Sequence, residues 1–324
     1  MTRSGIINLA AMFAVLAVSL SAAMVIRRDS ATAVTAASPA PGATTYLVDL
    51  GNGRQGVRDA ADVVAPVVDY RRILSGSSTA DWLLSELCEP DRVIAVTRRS
   101  HETAPWRYRY AGKPMVASLE NIETLLAMQP DLLILDSFGD PRRVARLREQ
   151  GLQVFDLGQM RGASSVLTAM RRVGALLGRA ARAEQLARRY QRSLSALAAD
   201  IPENRRPRAM YLGVYGDKLF GGAAGTAYHD ILVYGGLRDA AADRFDGFPD
   251  YSAEQVLGID PDVIVTHTGG GDPLCHHAGL RELGACRRPG GIVEVDSFTL
   301  DDPGVGILEA AEAIANAVHP AATP

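Results

Sequence analysis

Aromatic side chains make up only 6% of this 324-residue chain, yet with arginine, lysine and histidine they gather just after apolar runs. Arg99, His101, Trp106, Tyr108 and Tyr110 follow RVIAV (92–96), and Phe138 follows DLLIL (131–135). Farther along, Tyr215, Lys218, Phe220 and Tyr228 follow an apolar run at 208–214, Phe248 and Tyr251 precede a helical stretch, and His267 follows DVIVT (262–266). Flat rings contact a large planar or aromatic ligand at low entropy cost, and cationic side chains pair its anionic oxygens. Open α/β sheets bind ligands outside the C-terminal ends of their strands, so loops after apolar runs are where such residues belong. This is binding chemistry.

Catalytic patterns are weak beside it. GGAAGT (221–226) lacks the lysine of a phosphate-binding loop, Gly269-Gly270-Gly271 is a lone glycine run, and no Gly-x-Ser-x-Gly elbow occurs. Cys275-His276-His277, near His267 and Asp272, has the residue types of a zinc site. Adjacent histidines rarely converge on one ion without a third well-placed ligand, so an exposed loop is the plainer reading and no metal or cofactor is expected. An enzyme is not expected.

Two carboxylates stand out by repetition. NIETLLAMQPDLLIL (121–135) and SAEQVLGIDPDVIVT (252–266) each place a glutamate, Glu123 or Glu254, seven positions before a Pro-Asp pair. The proline ends a helix and Pro-Asp turns the chain into a buried strand. Carried on outer helices of different units, these glutamates make poor acid–base partners.

The elements that must position these residues alternate. Strands are predicted at 46–50, ahead of the tight turn Gly51-Asn52-Gly53, and at 92–96, 131–135, 153–157, 208–214, 262–266 and 291–295. Helices are predicted at 119–128, 144–150, 227–234, 252–257 and 305–318. Leu83, Leu84, Leu87 and Cys88 form one apolar helix face. Continuous apolar strands separated by helices imply parallel sheets covered on both faces. Between the two units, apolar positions from Val166 to Leu197 recur at helical spacing, predicting one helix of about 35 residues and roughly 50 Å over 164–199.

Arg3 precedes an apolar run from Ile6 to Ile26, closed by Arg27 and Arg28. Some twenty residues of helix span roughly 30 Å, enough for a bilayer, and a cleaved signal peptide has the same pattern. Both readings remain open, and both argue for export. Residues 29–45, rich in Ala, Thr, Ser and Pro, read as a tether. Cys275 and Cys286 are close enough in sequence for a local disulfide, with free thiols as the alternative. A net charge of -3 with interleaved arginines gives no bulk attraction to nucleic acid, and none is expected as a partner.

In this order, the phrases RRILSGSSTADWLLSEL, PDRVIAV, NIETLLAMQPDLLIL, LFGGAAGTAYHDILVYGGLRDAA, SAEQVLGIDPDVIV and GGIVEVDSFTLDDPGVGILEAAEAIANAVHP make the chain resemble one family. It is the iron-siderophore/haem/vitamin B12 class of periplasmic substrate-binding proteins of ABC transporters. The resemblance implies an α/β fold of two lobes with mainly parallel sheets, joined by one long rigid helix, gripping ligand in the cleft between them. It divides the chain into a signal peptide or membrane anchor (1–28), a flexible tether (29–45), an N-terminal α/β lobe (46–160), a connecting helix (161–200) and a C-terminal α/β lobe (201–320). The implied function is capture of an iron-chelate-type ligand (ferric siderophore, haem or corrinoid) by a periplasmic monomer. Delivery is to an inner-membrane permease, with Glu123 and Glu254 docking into its arginine pockets. A haem iron would want an axial ligand, for which His101, Tyr108, Tyr228 and His267 are candidates. A ferric siderophore brings its own iron ligands and is favoured over haem. Family members that bind vitamin B12 place tryptophans at the cleft, where the matching positions here are Ala117, Asp136 and Phe248. The alternative is a membrane-anchored ligand sensor or haem-handling protein using the same fold without a permease.

Overall fold

A computed structural model describes residues 46–137, 140–302, 304 and 306–320. The export segment and tether expected at 1–45 lie outside the described residues, as does Phe138. Among the described residues, no helix is long and apolar enough to cross a membrane.

The first half opens with a small antiparallel sheet of β1 (Leu47–Gly51), β2 (Arg54–Arg58) and β3 (Val64–Pro66). Alternation then follows: β4 (Ile73–Ser75), α1 (Ser78–Leu87), β5 (Val93–Thr97), α2 (Arg98–Glu102), β6 (Met115–Val116), α3 (Ile122–Ala127), β7 (Leu132–Leu135), α4 (Pro141–Glu149) and β8 (Val154–Asp156). The five strands from β4 to β8 form a parallel sheet in the order β6-β5-β4-β7-β8. β7 is buried at every residue, as a strand covered on both faces must be. Helices α1, α3 and α4 start at side-chain caps: Ser77 Oγ accepts from the Ala80 amide, Asn121 Oδ1 from the Thr124 amide and Asp140 from the Arg142 amide.

The connecting stretch differs from the single 35-residue rod. It is α5 (Ala163–Leu176), a reversal, and α6 (Ala180–Leu197) packed back against α5. Gly178 causes the break. It takes φ +67°, while its amide and that of Arg179 bond back to the Ala175 and Gly174 carbonyls, closing the last turn of α5. Gly174 permits the packing, since a β-carbon there would lie 2.1 Å from that of Ala183. The helix that bridges the halves is therefore α6, about 27 Å long. It touches α1 of the first half, and it touches the α7 and α12 helices given next.

The second half contains β9 (Arg208–Tyr215), β10 (Lys218–Gly222), α7 (Ala227–Tyr234), β11 (Arg238–Asp239), β12 (Asp250–Tyr251), α8 (Ala253–Ile259) and β13 (Val263–His267). It continues with α9 (Gly271–His276), α10 (Gly284–Arg287), β14 (Ile292–Val295), α11 (Ser297–Leu300) and α12 (Gly306–Val318). Its sheet runs β12-β10-β9-β13-β14, with β11 also on β9. The β9–β13–β14 core is parallel, and the β10 and β12 pairings are antiparallel. Each half has its own apolar core, around Leu74 and Leu133 in one and Met210 and Ile264 in the other. A third cluster joins Leu83 and Trp82 to Tyr190 of α6 and on to Ile231 and Ile314. The fold is two α/β lobes on a helical brace.

Candidate functional site

The second lobe carries a cluster of rings around β9 and β10. Tyr211 of β9 and Tyr228 of α7 lie face to face, centroids 3.6 Å apart and planes within 6°. Phe220 meets the edge of Tyr211, and Phe248 the edge of Tyr228. The polar tips converge as well. The Tyr228 hydroxyl donates to Asp301 Oδ1 at 2.8 Å, the Tyr211 hydroxyl lies 3.1 Å from His267 Nε2, and His267 Nδ1 is 3.7 Å from Asp301 Oδ2. Burial pushes both phenols up, so both stay protonated at physiological pH.

The first lobe approaches this cluster at Asp301. Ser78, Thr97, Arg98 and Arg99 face Ser297, Phe298, Asp301 and Asp302 across a cleft of about 420 Å³. A neighbouring cavity of about 330 Å³, lined by Val214, His267, Thr268, Gly270, Ser297 and Asp301 among others, shares its wall. Side-chain contacts reach from lobe to lobe and from the second lobe to α5. The Arg99 guanidinium crosses to Asp302 Oδ2 at 3.0 Å, to Glu309 Oε2 at 3.4 Å and to the Phe298 carbonyl. The Asp230 carboxylate, on α7, accepts the Ala163 amide at 2.7 Å, capping the start of α5.

Of the thirteen candidate ligand residues, the structure brings Phe220, Tyr228, Phe248 and His267 together. Tyr215 and Lys218 pair beside them in the β9–β10 hairpin, both exposed. Arg99 lines the cleft with its charge engaged across the lobes, while Arg98, one residue earlier, is exposed on the rim. Trp106 and Tyr110 are core residues rather than cleft residues. The Trp106 indole donates to Ser100 Oγ at 2.8 Å, and the Tyr110 hydroxyl donates to the Asp81 carbonyl at 2.7 Å. They enclose Asp81, which accepts the amide and hydroxyl of Thr97 and whose carboxyl is raised to about 6 by burial. Tyr251 is likewise buried, edge-on to Phe245. His101 and Tyr108 lie exposed on the first lobe.

Sequence reasoning missed Tyr211, Asp301 and Asp302. Tyr211 sits inside an apolar strand and reads as core. The two aspartates follow β14, where a search of strand-end loops would have reached them. Cys275 and Cys286 form a disulfide joining α9 to α10. His276 turns to Asp272 and His277 toward the Asp217 carbonyl. Among the described residues, no three His, Cys, Asp or Glu side chains are placed to hold a metal.

Glu123 and Glu254 are exposed, each the second residue of a short helix capped by Asn121 or Ser252. The backbone amide and the Ser252 hydroxyl hold the Glu254 carboxyl below the usual range.

A family model described as periplasmic binding protein matches residues 111–284, more than half of the chain. A cobalamin-binding protein of Halobacterium salinarum is 25% identical over 261 residues, covering 76% of this chain and 69% of that protein. Two solved Vibrio cholerae proteins share the fold, each 22% identical. The periplasmic vitamin B12 binding protein superposes with a TM-score of 0.61, covering 77% of this chain and 96% of that one. The periplasmic heme binding protein gives 0.64, with 77% and 99% covered. With the match spanning the end of one lobe, the brace and most of the other, the chain belongs to the periplasmic binding protein family.

Proposed function

We propose that this protein is the exported substrate-binding component of an ABC importer, capturing a large metal-chelate ligand between its lobes and handing it to an inner-membrane permease. The observation that carries the reading is the ring cluster of Tyr228, Phe248, Phe220 and Tyr211, joined through Asp301 and His267 to the cleft that Arg98 and Arg99 line from the other lobe. Rings supply broad contact to a flat or bulky chelate, and the rim arginine supplies charge. Corrinoid, haem and ferric siderophore all fit this chemistry. A corrinoid is placed first, because the curated relative spanning three quarters of the chain is a cobalamin-binding protein. Glu123 and Glu254, repeated on equivalent outer helices, support a two-point dock onto cationic pockets of the permease.

Titration of the purified protein with cyanocobalamin, haemin and a ferric siderophore tests the cargo. Trp82 and Trp106 both lie in the first lobe, so their fluorescence reports an absorbing ligand arriving there. Saturable quenching by one of the three at micromolar concentration or below is expected. If none saturates, the cargo class is wrong.

A further inference from the structure

We propose that Arg72 and Arg208 are positioning residues for partner docking, each clamping the far end of the short helix that carries one of the two glutamates. This rests on the docking reading above and adds to it the devices that fix how the glutamates are presented.

The two lobes build the clamp in the same way. In the first, Arg72 Nε donates to the Gln129 carbonyl at 2.9 Å, and its terminal nitrogen donates to the Met128 carbonyl at 2.6 Å. In the second, Arg208 donates to the Asp260 carbonyl at 2.9 Å and to the Ile259 carbonyl at 2.6 Å. Counted back from Pro-Asp the acceptors are equivalent: Met128, the C-cap of α3, and Gln129 in one lobe, and Ile259, the last residue of α8, and its C-cap Asp260 in the other. Each helix then leaves through a left-handed residue, Gln129 at φ +50° or Asp260 at +45°, and enters Pro-Asp. The aspartate closes the loop. Asp131 accepts the Arg71 and Arg72 amides at 2.6 and 2.9 Å, and Asp262 accepts the Arg208 amide at 3.0 Å. The repeated Pro-Asp phrase is thus one side of a ring whose other side is an arginine at the foot of the lobe's first parallel strand.

Helices of six and seven residues do not hold themselves in water. Their final carbonyls lack helical partners and carry the negative end of the dipole, which a guanidinium both bonds and neutralises. The glutamate sits at the second residue, within about 10 Å of the clamp, so a base that tilts moves the carboxylate with it. The planar fork of arginine reaches two adjacent carbonyls at once, a geometry lysine cannot copy. The second clamp is reinforced, because Arg288 also holds Asp262, at 2.9 Å. The first is the more sensitive.

The test uses the full chain, without cargo, and its cognate permease in lipid nanodiscs, reading dissociation constants. If wild type does not bind, or Glu123→Gln and Glu254→Gln bind like wild type, the docking reading fails and the clamp reading falls with it. If the glutamate variants weaken binding, Arg72→Gln is expected to weaken it about tenfold, with melting temperature changed little and cyanocobalamin affinity unchanged. Its effect should vanish in the Glu123→Gln background and multiply fully with Glu254→Gln. Arg72→Lys should recover only part. Multiplicative losses from Arg72→Gln and Glu123→Gln, or no loss from Arg72→Gln, would overturn the clamp while leaving the docking glutamates standing.

Discussion

Replacing Arg99 by methionine removes the charge that ties the lobes while keeping most of the aliphatic stem. The guanidinium is 12% exposed and its partner Asp302 only 1%, so the loss strands a carboxylate that keeps one amide donor, from Gly304 at 2.8 Å. Breaking a buried pair from one side costs about 3–5 kcal/mol. Glu309 is one-third exposed and can turn to water, and the seam can open to hydrate Asp302, so the lower end applies. About 3 kcal/mol shifts a balance between closed and open lobes by roughly a hundredfold. Small-angle scattering should therefore show Arg99→Met expanded relative to wild type without cargo, with its melting midpoint reduced. The variant Arg99→Met/Asp302→Leu removes both charges and should recover most of the loss, because an apolar pair can replace a buried ion pair at little cost. Equal scattering profiles and midpoints for all three proteins would refute the latch. A double variant no better than the single would refute its electrostatic basis.

Other expectations follow from single sites. Phe248, half-exposed in the ring cluster, should weaken cyanocobalamin or haemin binding about tenfold when changed to alanine, with no shift in melting temperature; unchanged affinity by fluorescence titration removes it from the site. Asp81 has a folded value of about 6 against 3.8, so the penalty for its charge is absent below about pH 4, grows through the pH 4–6 window and is complete above it. That cost is about 3 kcal/mol, and Asp81→Asn should flatten stability against pH across that window; denaturant melts with parallel slopes for both proteins would contradict it. Removing the disulfide by Cys275→Ser/Cys286→Ser releases a short loop worth about 3 kcal/mol and should lower the calorimetric midpoint by several degrees.

Much of the frame was legible because buried parallel strands leave a plain trace. LLIL and VIVTH are apolar almost throughout and each is announced by Pro-Asp, so both strands and the helices before them could be placed within a few residues. The N-terminal sheet left less trace. Its β2 and β3 are short and carry Gly56 and Pro66, and Leu47 and Leu50 of β1 face solvent, so no alternation marks a buried face. The reversal at Gly178 was hidden because apolar spacing continues through it, and only the backbone bonds of its amide reveal the stop. At the site, residue type could not separate Trp106 and Tyr110, sealed around Asp81, from Phe248 in the ring cluster. Nor could it separate Arg99 from Arg98. Adjacent residues on a helix point about 100° apart, and that turn decides whether a charge meets Asp302 or the open rim.

The strands themselves couple the two proposed tasks. β4 starts beside Arg72 and leads at its other end into Ser78 on the cleft, and β9 starts at Arg208 and reaches Val214 on the cleft. α3 and α8 feed β7 and β13 from the clamped end, so each runs back along its sheet and carries its glutamate toward the cleft side. Within a lobe nothing in this path can stretch, because the strands are hydrogen-bonded on both sides and the helix base is pinned. Cargo can therefore alter the spacing of Glu123 and Glu254 only by moving one lobe against the other, about the seam made by Arg99–Asp302 and Asp230–Ala163. A single braced helix bends little, so the change should be small. Spin labels at 123 and 254 should move by no more than a few ångströms when cargo binds, and by more in Arg99→Met than in wild type. A large shift in wild type would mean that α6 is a hinge rather than a brace.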